Sequence, residues 1–93
     1  MNQCILITLT VGSVQNFIDK FIKKYARNLE LEGDAKIVSD DQVRIVVCGD
    51  NDKIDSFIDL MYEKSEKYKL DDIQIESFFK ERDYRGIFRI IAS

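Results

Sequence analysis

The stretch Cys4–Phe21, CILITLTVGSVQNFIDKF, changes its periodicity at a single glycine. Cys4–Val11 is a run of β-branched and other apolar residues, the composition of a strand. From Val14 onward, Phe17, Phe21, Ile22, Tyr25, Ala26 and Leu29 fall at the three- and four-residue spacing of one helix face. Gly12 therefore marks a strand-to-helix turn, and the rest of the chain is read outward from it.

Gly33 follows the helix, and Ala35–Ser39 and Val43–Cys48 read as two short strands around Asp40–Asp41, a pair suited to a hairpin turn. Gly49–Asp52 opens a second helical pattern with Ile54, Phe57, Ile58, Met61 and Tyr62 on one face, capped by an Asp or Asn and ending near Lys67. Asp72–Phe79 alternates as a strand, and Ile87–Ile91 is a last short β-run. The order β-α-β-β-α-β plus a C-terminal strand predicts an α+β, ferredoxin-like split β-α-β sandwich, with both helices on one face of an antiparallel sheet. Residues 1–93 are expected to form one domain.

Composition narrows the chemistry. Apolar residues make up 45% of the chain, enough for a two-layer core, and the net charge of −3 is the wrong sign for nucleic acid or an anionic membrane surface. The run Cys4–Val11 is too short to span a membrane and lacks the basic flank of a leader, so a cytoplasmic protein is expected. Two cysteines and no histidine leave no zinc set and no histidine-activated nucleophile, and neither metal nor cofactor is expected. Asp50, Asp52, Asp55 and Asp59 lack the glycine and terminal glutamate of a calcium loop, and helix capping and solvation account for them.

In a sheet of this order the first and third strands are antiparallel neighbours, which brings Cys4 at the start of one beside Cys48 at the end of the other. The spacing of opposed residues and a cytoplasmic setting favour close but reduced thiols. The aromatics Phe17, Phe21, Tyr25, Phe57 and Tyr62 sit at core positions of their helices, which argues against a base-stacking platform. Phe78 and Phe79 point to opposite faces of their strand, so one is exposed unless covered, and this hints at a self-association edge.

Gly12-Ser13-Val14-Gln15, then Ala26, Leu29, Leu31 and Gly33, the hairpin up to Gly49 and Phe88 near the end together resemble the acylphosphatases. The resemblance covers nearly the whole chain. It implies hydrolysis of the mixed anhydride of a carboxylic acid and phosphate, with the phosphate held by backbone N–H groups of the loop Gly12, Ser13, Val14, Gln15, Asn16, Phe17 and Ile18. A turn feeding a helix N-terminus suits an anion physically, because its amides are unpaired and the helix dipole is positive there.

The family's loop runs Gly-x-Val-Gln-Gly-Val-x-Phe-Arg, its arginine gripping the phosphate. Counting forward from Gly12 puts Lys20 at the arginine position, whereas counting back from Ala26, Leu29 and Gly33 puts Asp19 there, because the segment is one residue short. A lysine cannot reproduce the planar fork and an aspartate repels the substrate. Asn16 replaces the second glycine, and Ile37 stands where the family's asparagine orients the attacking water.

Losing one preorganised polar group typically costs about 10²–10³ in rate. The resemblance thus implies an acylphosphatase-like domain of impaired chemistry that binds phosphate, another small anion or a protein partner at Gly12–Ile18. An active acylphosphatase using Lys20 and a small-ligand regulatory domain of the same fold are the alternatives. Against all three stands the plainer view of an ordinary strand-to-helix turn with Lys20, Lys23, Lys24 and Arg27 as a solvated helix face.

Overall fold

Alternation in β1 (Asn2–Thr10) sends Ile5, Ile7 and Leu9 to one face and Cys4, Leu6, Thr8 and Thr10 to the other, and the sheet is built around that division. The computed structural model describes residues 2–79 and 86–92. Its five strands are β1, β2 (Glu32–Ser39), β3 (Gln42–Asp50), β4 (Asp71–Ser77) and β5 (Phe88–Ala92), in the sheet order β4-β1-β3-β2-β5. All neighbours are antiparallel except β2 and β5.

Helices cover one face of this sheet, as expected for the ferredoxin-like α+β fold. Ile5, Ile7 and Leu9 of β1, Ala35 of β2, and Val43, Ile45 and Val47 of β3 pack beneath them in one cluster. β2 and β3 are longer than their apolar runs alone indicate, whereas β4 ends at Ser77, short of the expected Phe79. Pairing extends β2 back to Glu32 and β3 forward to Asp50, because ladder hydrogen bonds stabilise flanking polar residues that propensity does not favour. Gly33 sits within β2 at φ 138, and a Cβ there would collide with the carbonyl of Val46, so only glycine allows the close strand approach.

The first helix carries a signature in its spacing. Val14, Ile18, Ile22 and Ala26 recur every fourth residue, as do Phe17, Phe21 and Tyr25. In a 3.6-residue helix such a stripe drifts about 40° per repeat away from the sheet. The chain resolves the mismatch by widening: α1 (Val14–Phe17) passes into a π-helical segment (Ile18–Ile22) and then α2 (Lys23–Asn28), with the Lys23 N–H reaching back to the Ile18 carbonyl. All the fourfold positions except Tyr25 are thereby buried.

The second helical region differs from expectation. α3 (Asn51–Glu63) buries Ile54, Phe57 and Met61, and Asp50 occupies its N-cap position without a side-chain capping bond. Tyr62, expected in the core, is 51% exposed. The stripe through Ile54, Phe57, Ile58 and Met61 already faces the sheet, and Tyr62 lies at its edge. The chain then turns at Lys64 into α4 (Ser65–Tyr68), which returns Tyr68 to the core in its stead, edge-on to Phe17 and Phe21.

The cysteines also correct the sequence reading. Cys4 is directly opposite Cys48 in the β1–β3 register, and the two are joined as a disulfide rather than left as free thiols. Their Cα atoms are 4.1 Å apart, at the short end of the two spacings, roughly 4.5 and 5.5 Å, between which an antiparallel pair alternates. The sulfurs meet on the uncovered face of the sheet. Phe78 packs against this corner beside Leu6 and Val46, while Phe79 is 94% exposed, as the opposed-face reading expects of one of the pair.

Candidate anion site at the first strand-to-helix turn

Two backbone bonds fix the turn after β1. The Val11 N–H donates to the Asp41 carbonyl at the hairpin, and the Gly12 N–H donates to the Tyr68 carbonyl at the end of α4. Ser13 then takes an extended conformation as the N-cap, its Oγ accepting from the Asn16 N–H at 3.4 Å and its carbonyl accepting from the Phe17 N–H at 3.0 Å. The Ile18 N–H turns back to the carbonyls of Gln15 and Val14.

Of the loop Gly12–Ile18, the amides of Gly12, Asn16, Phe17 and Ile18 are therefore engaged within the protein. Phe17 and Ile18 have their side chains in the core. The first amides of a helix have no intrahelical acceptor, which leaves Val14 and Gln15 as the donors facing outward behind the Ser13 cap. At the same turn is a cleft of 190 Å³ lined by Gly12, Ser13, Asn16, Lys67, Tyr68 and Lys69, with neither Val14 nor Gln15 in its wall.

Lys67 and Lys69 are the residues that sequence reasoning missed. Lys69 adopts a left-handed conformation at the C-cap of α4, φ 55, and its side chain lies over Gly12, so that even a methyl group on that glycine would press on it at 3.1 Å. Nothing in the local sequence marks this. The two lysines reach the turn only because α4 folds back against it.

Asp19 and Lys20, the two candidates for the arginine position, are both exposed and neither lines the cleft. Asp19 is the one engaged near the turn: Gln15 donates its side-chain amide to Oδ2 at 3.0 Å, and Lys23 pairs with Oδ1 at 3.2 Å. The Gln15 hydrogen bond, followed by the hydrogen bond and charge of Lys23, holds the Asp19 carboxyl below its ordinary value, so it is ionised at neutral pH. Lys20 makes no ion pair among the described residues.

Ile37, expected at the asparagine position, is half-buried on β2 and packs against the core, paired with Val43 and Ala92 across the sheet. Its hydrocarbon side chain offers no hydrogen bond to water. Among the described residues, no group of three or more carboxylate or cysteine side chains is arranged to hold a metal ion.

The family model for acylphosphatase matches residues 7–90. The chain belongs to the acylphosphatase family. Among solved structures it is similar to an acylphosphatase from Coxiella burnetii, at 26% identity and a TM-score of 0.79, covering 96% of this chain and 92% of that one. It is also similar in fold to the acylphosphatase from Bacillus subtilis, at 21% identity and a TM-score of 0.80, covering 98% and 99% of the two chains. Full-length HypF in a phosphate- and nucleotide-bound form contains the same fold, at 21% identity and a TM-score of 0.83, over 99% of this chain and 12% of that protein. No curated protein sequence matches. No helix among the described residues is long and apolar enough to cross a membrane.

Proposed function

We propose that this acylphosphatase-family domain binds phosphate, or a small anion that bears one, at the turn Gly12–Ile18, and that its hydrolytic chemistry is impaired. The observation that carries the reading is the Gln15–Asp19–Lys23 arrangement. In the register that puts Asp19 rather than Lys20 at the family's arginine position, an ionised carboxylate held by the glutamine of the loop stands in place of the phosphate-gripping arginine. Asp19 repels a phosphate dianion, and Ile37 cannot orient a water molecule, so both polar roles of the family's catalysis are missing together.

Binding has separate support. The outward amides of Val14 and Gln15 at the positive end of the first helix, together with Lys67 and Lys69 beside the cleft, make an electropositive corner in a mildly acidic protein. Those lysines also favour a second reading, in which they replace the arginine and the domain hydrolyses acyl phosphates. Lysines supply point charges rather than a planar fork, which makes this reading the weaker one.

Two measurements test the proposal. Phosphate titration should shift the amides of Ser13, Val14 and Gln15 more than any others, with roughly millimolar affinity for so open a site, and Lys69→Ala should weaken it. Hydrolysis of an aromatic acyl phosphate, followed by absorbance, should stay near background. Turnover that is lost in Lys67→Ala or Lys69→Ala would establish the second reading instead.

A further inference from the structure

The uncovered face of the sheet breaks a pairing rule at one place. Lys36 on β2 is directly opposite Arg44 on β3, and both are exposed. Both alternate with core-facing neighbours, Ala35 beside Lys36 and Val43 and Ile45 beside Arg44, so both side chains stand on the face without helices. Like charges directly opposed across strands are destabilising, their Cβ atoms only about 4.5–5.5 Å apart. Among the described residues, neither cation forms an ion pair.

No carboxylate stands directly opposite either cation. The row continues through Thr8, opposite Arg44, and Gln74, opposite Thr8, while Gln42 and Thr10 pair in the next row. These side chains are uncharged hydrogen-bonding groups. The carboxylates on this face include Asp34 and Glu76, one row away beside Val46 and Leu6, Glu32 opposite Cys48 two rows away, and Asp72, which lines the groove itself. A groove of 750 Å³ lies over the row, lined by Lys36, Arg44, Thr8, Thr10, Gln42 and Gln74 among others.

We infer that this groove is a second anion site, distinct from the strand-to-helix turn, which takes a small non-aromatic phosphate or diphosphate carrying at least two negative charges. A dianion neutralises both cations at once, which a single carboxylate does not. The Arg44 guanidinium presents a fork that matches two phosphate oxygens, Lys36 adds a point charge, and the hydroxyl of Thr8 and the amides of Gln42 and Gln74 complete the oxygens' hydrogen bonds, the Thr10 hydroxyl being engaged with the Asp71 carbonyl. No aromatic side chain lines the groove, so a nucleobase has nothing to stack on. The site lies on the face opposite the helices and rests on none of the residues assigned to the turn.

The experiment is a titration of the whole chain with inorganic pyrophosphate, followed by amide NMR, with acetate at matched ionic strength as the control. Saturable shifts are expected at Thr8, Lys36, Gln42 and Arg44 with pyrophosphate and not with acetate. Lys36→Gln and Arg44→Gln should each weaken these shifts about tenfold or more, and Arg44→Lys should weaken them too because the fork is lost. Removing one of two opposed cations relieves repulsion, so each glutamine variant should unfold at a temperature no lower than the parent. Responses at the Ser13–Gln15 amides should be unchanged in these variants, which separates this site from the turn. Equal shifts with acetate, or pyrophosphate shifts that persist undiminished in both glutamine variants, would overturn the inference.

Discussion

Cys4 and Cys48 are joined across the two central strands, directly opposed in register, at a sequence separation of 44. A cross-link over that separation removes loop-closure entropy from the unfolded chain worth roughly 4 kcal/mol, while the native pairing around it already holds the strands together. Reduction should therefore leave the fold intact and lower its stability by about 2–4 kcal/mol. Urea unfolding with and without a reductant checks this, and the Cys4→Ser, Cys48→Ser double variant should match the reduced protein. Equal midpoints in both conditions would show that the bridge contributes nothing.

Gln15 and Lys23 flank Asp19 one helical turn away on either side, and both stabilise its ionised form. A carboxyl depressed below its unfolded value contributes stability that is present above the unfolded pKa, near 3.8, and lost as pH falls through the folded value. Carboxyl NMR should therefore give Asp19 a midpoint below 3.8, and Gln15→Ala should raise it. A midpoint that ignores the Gln15 substitution would mean that the amide does not face the carboxylate in solution.

How far these features are legible in the sequence differs from residue to residue. The alternation around Ile5, Ile7 and Leu9 and the helical spacing of Phe17 and Phe21 carry the sheet face and the first helix, because periodicity reports burial directly. The two conflicting counts to the arginine position are also legible as a conflict, and the π-helical segment Ile18–Ile22 is its structural setting. Lys67 and Lys69 are not legible, since their approach to Gly12 depends on where α4 docks. Tyr68 is missed for the same reason: a helix of four residues carries too little period to show which face it buries. The opposed pair of Lys36 and Arg44 needs the register of β2 on β3, which turn residues only partly specify.

Phe21 is the centre of the aromatic core. Its ring stacks on Phe17 with centroids 5.1 Å apart and touches Tyr25, Phe57 and Tyr68, so it ties the widened part of the first helix to both later helices. Phe21→Ala should cost about 3–5 kcal/mol, a large part of the stability of a domain this size. Phe21→Leu should cost much less. Chemical denaturation measures both, and a small loss in the alanine variant would mean that the helix regains regular α-geometry and closes the cavity.

Restoring chemistry tests the proposed impairment most directly. Asp19→Arg removes the carboxylate that Gln15 holds and places a guanidinium on the same side of the helix, and Ile37→Asn supplies an amide on β2. Asp19→Arg alone should tighten phosphate binding at the turn, because repulsion becomes attraction at an exposed helix N-terminus. The two substitutions together should raise acyl-phosphate hydrolysis about 10²-fold or more above the parent, the scale on which single preorganised groups act. Asparagine at position 37 replaces half-buried hydrocarbon, so stability of the double variant should be measured alongside. Tighter phosphate binding without any gain in turnover, in a folded double variant, would place the defect in the turn's geometry. The amides of Asn16 and Phe17, engaged by Ser13, would then be the donors that catalysis lacks.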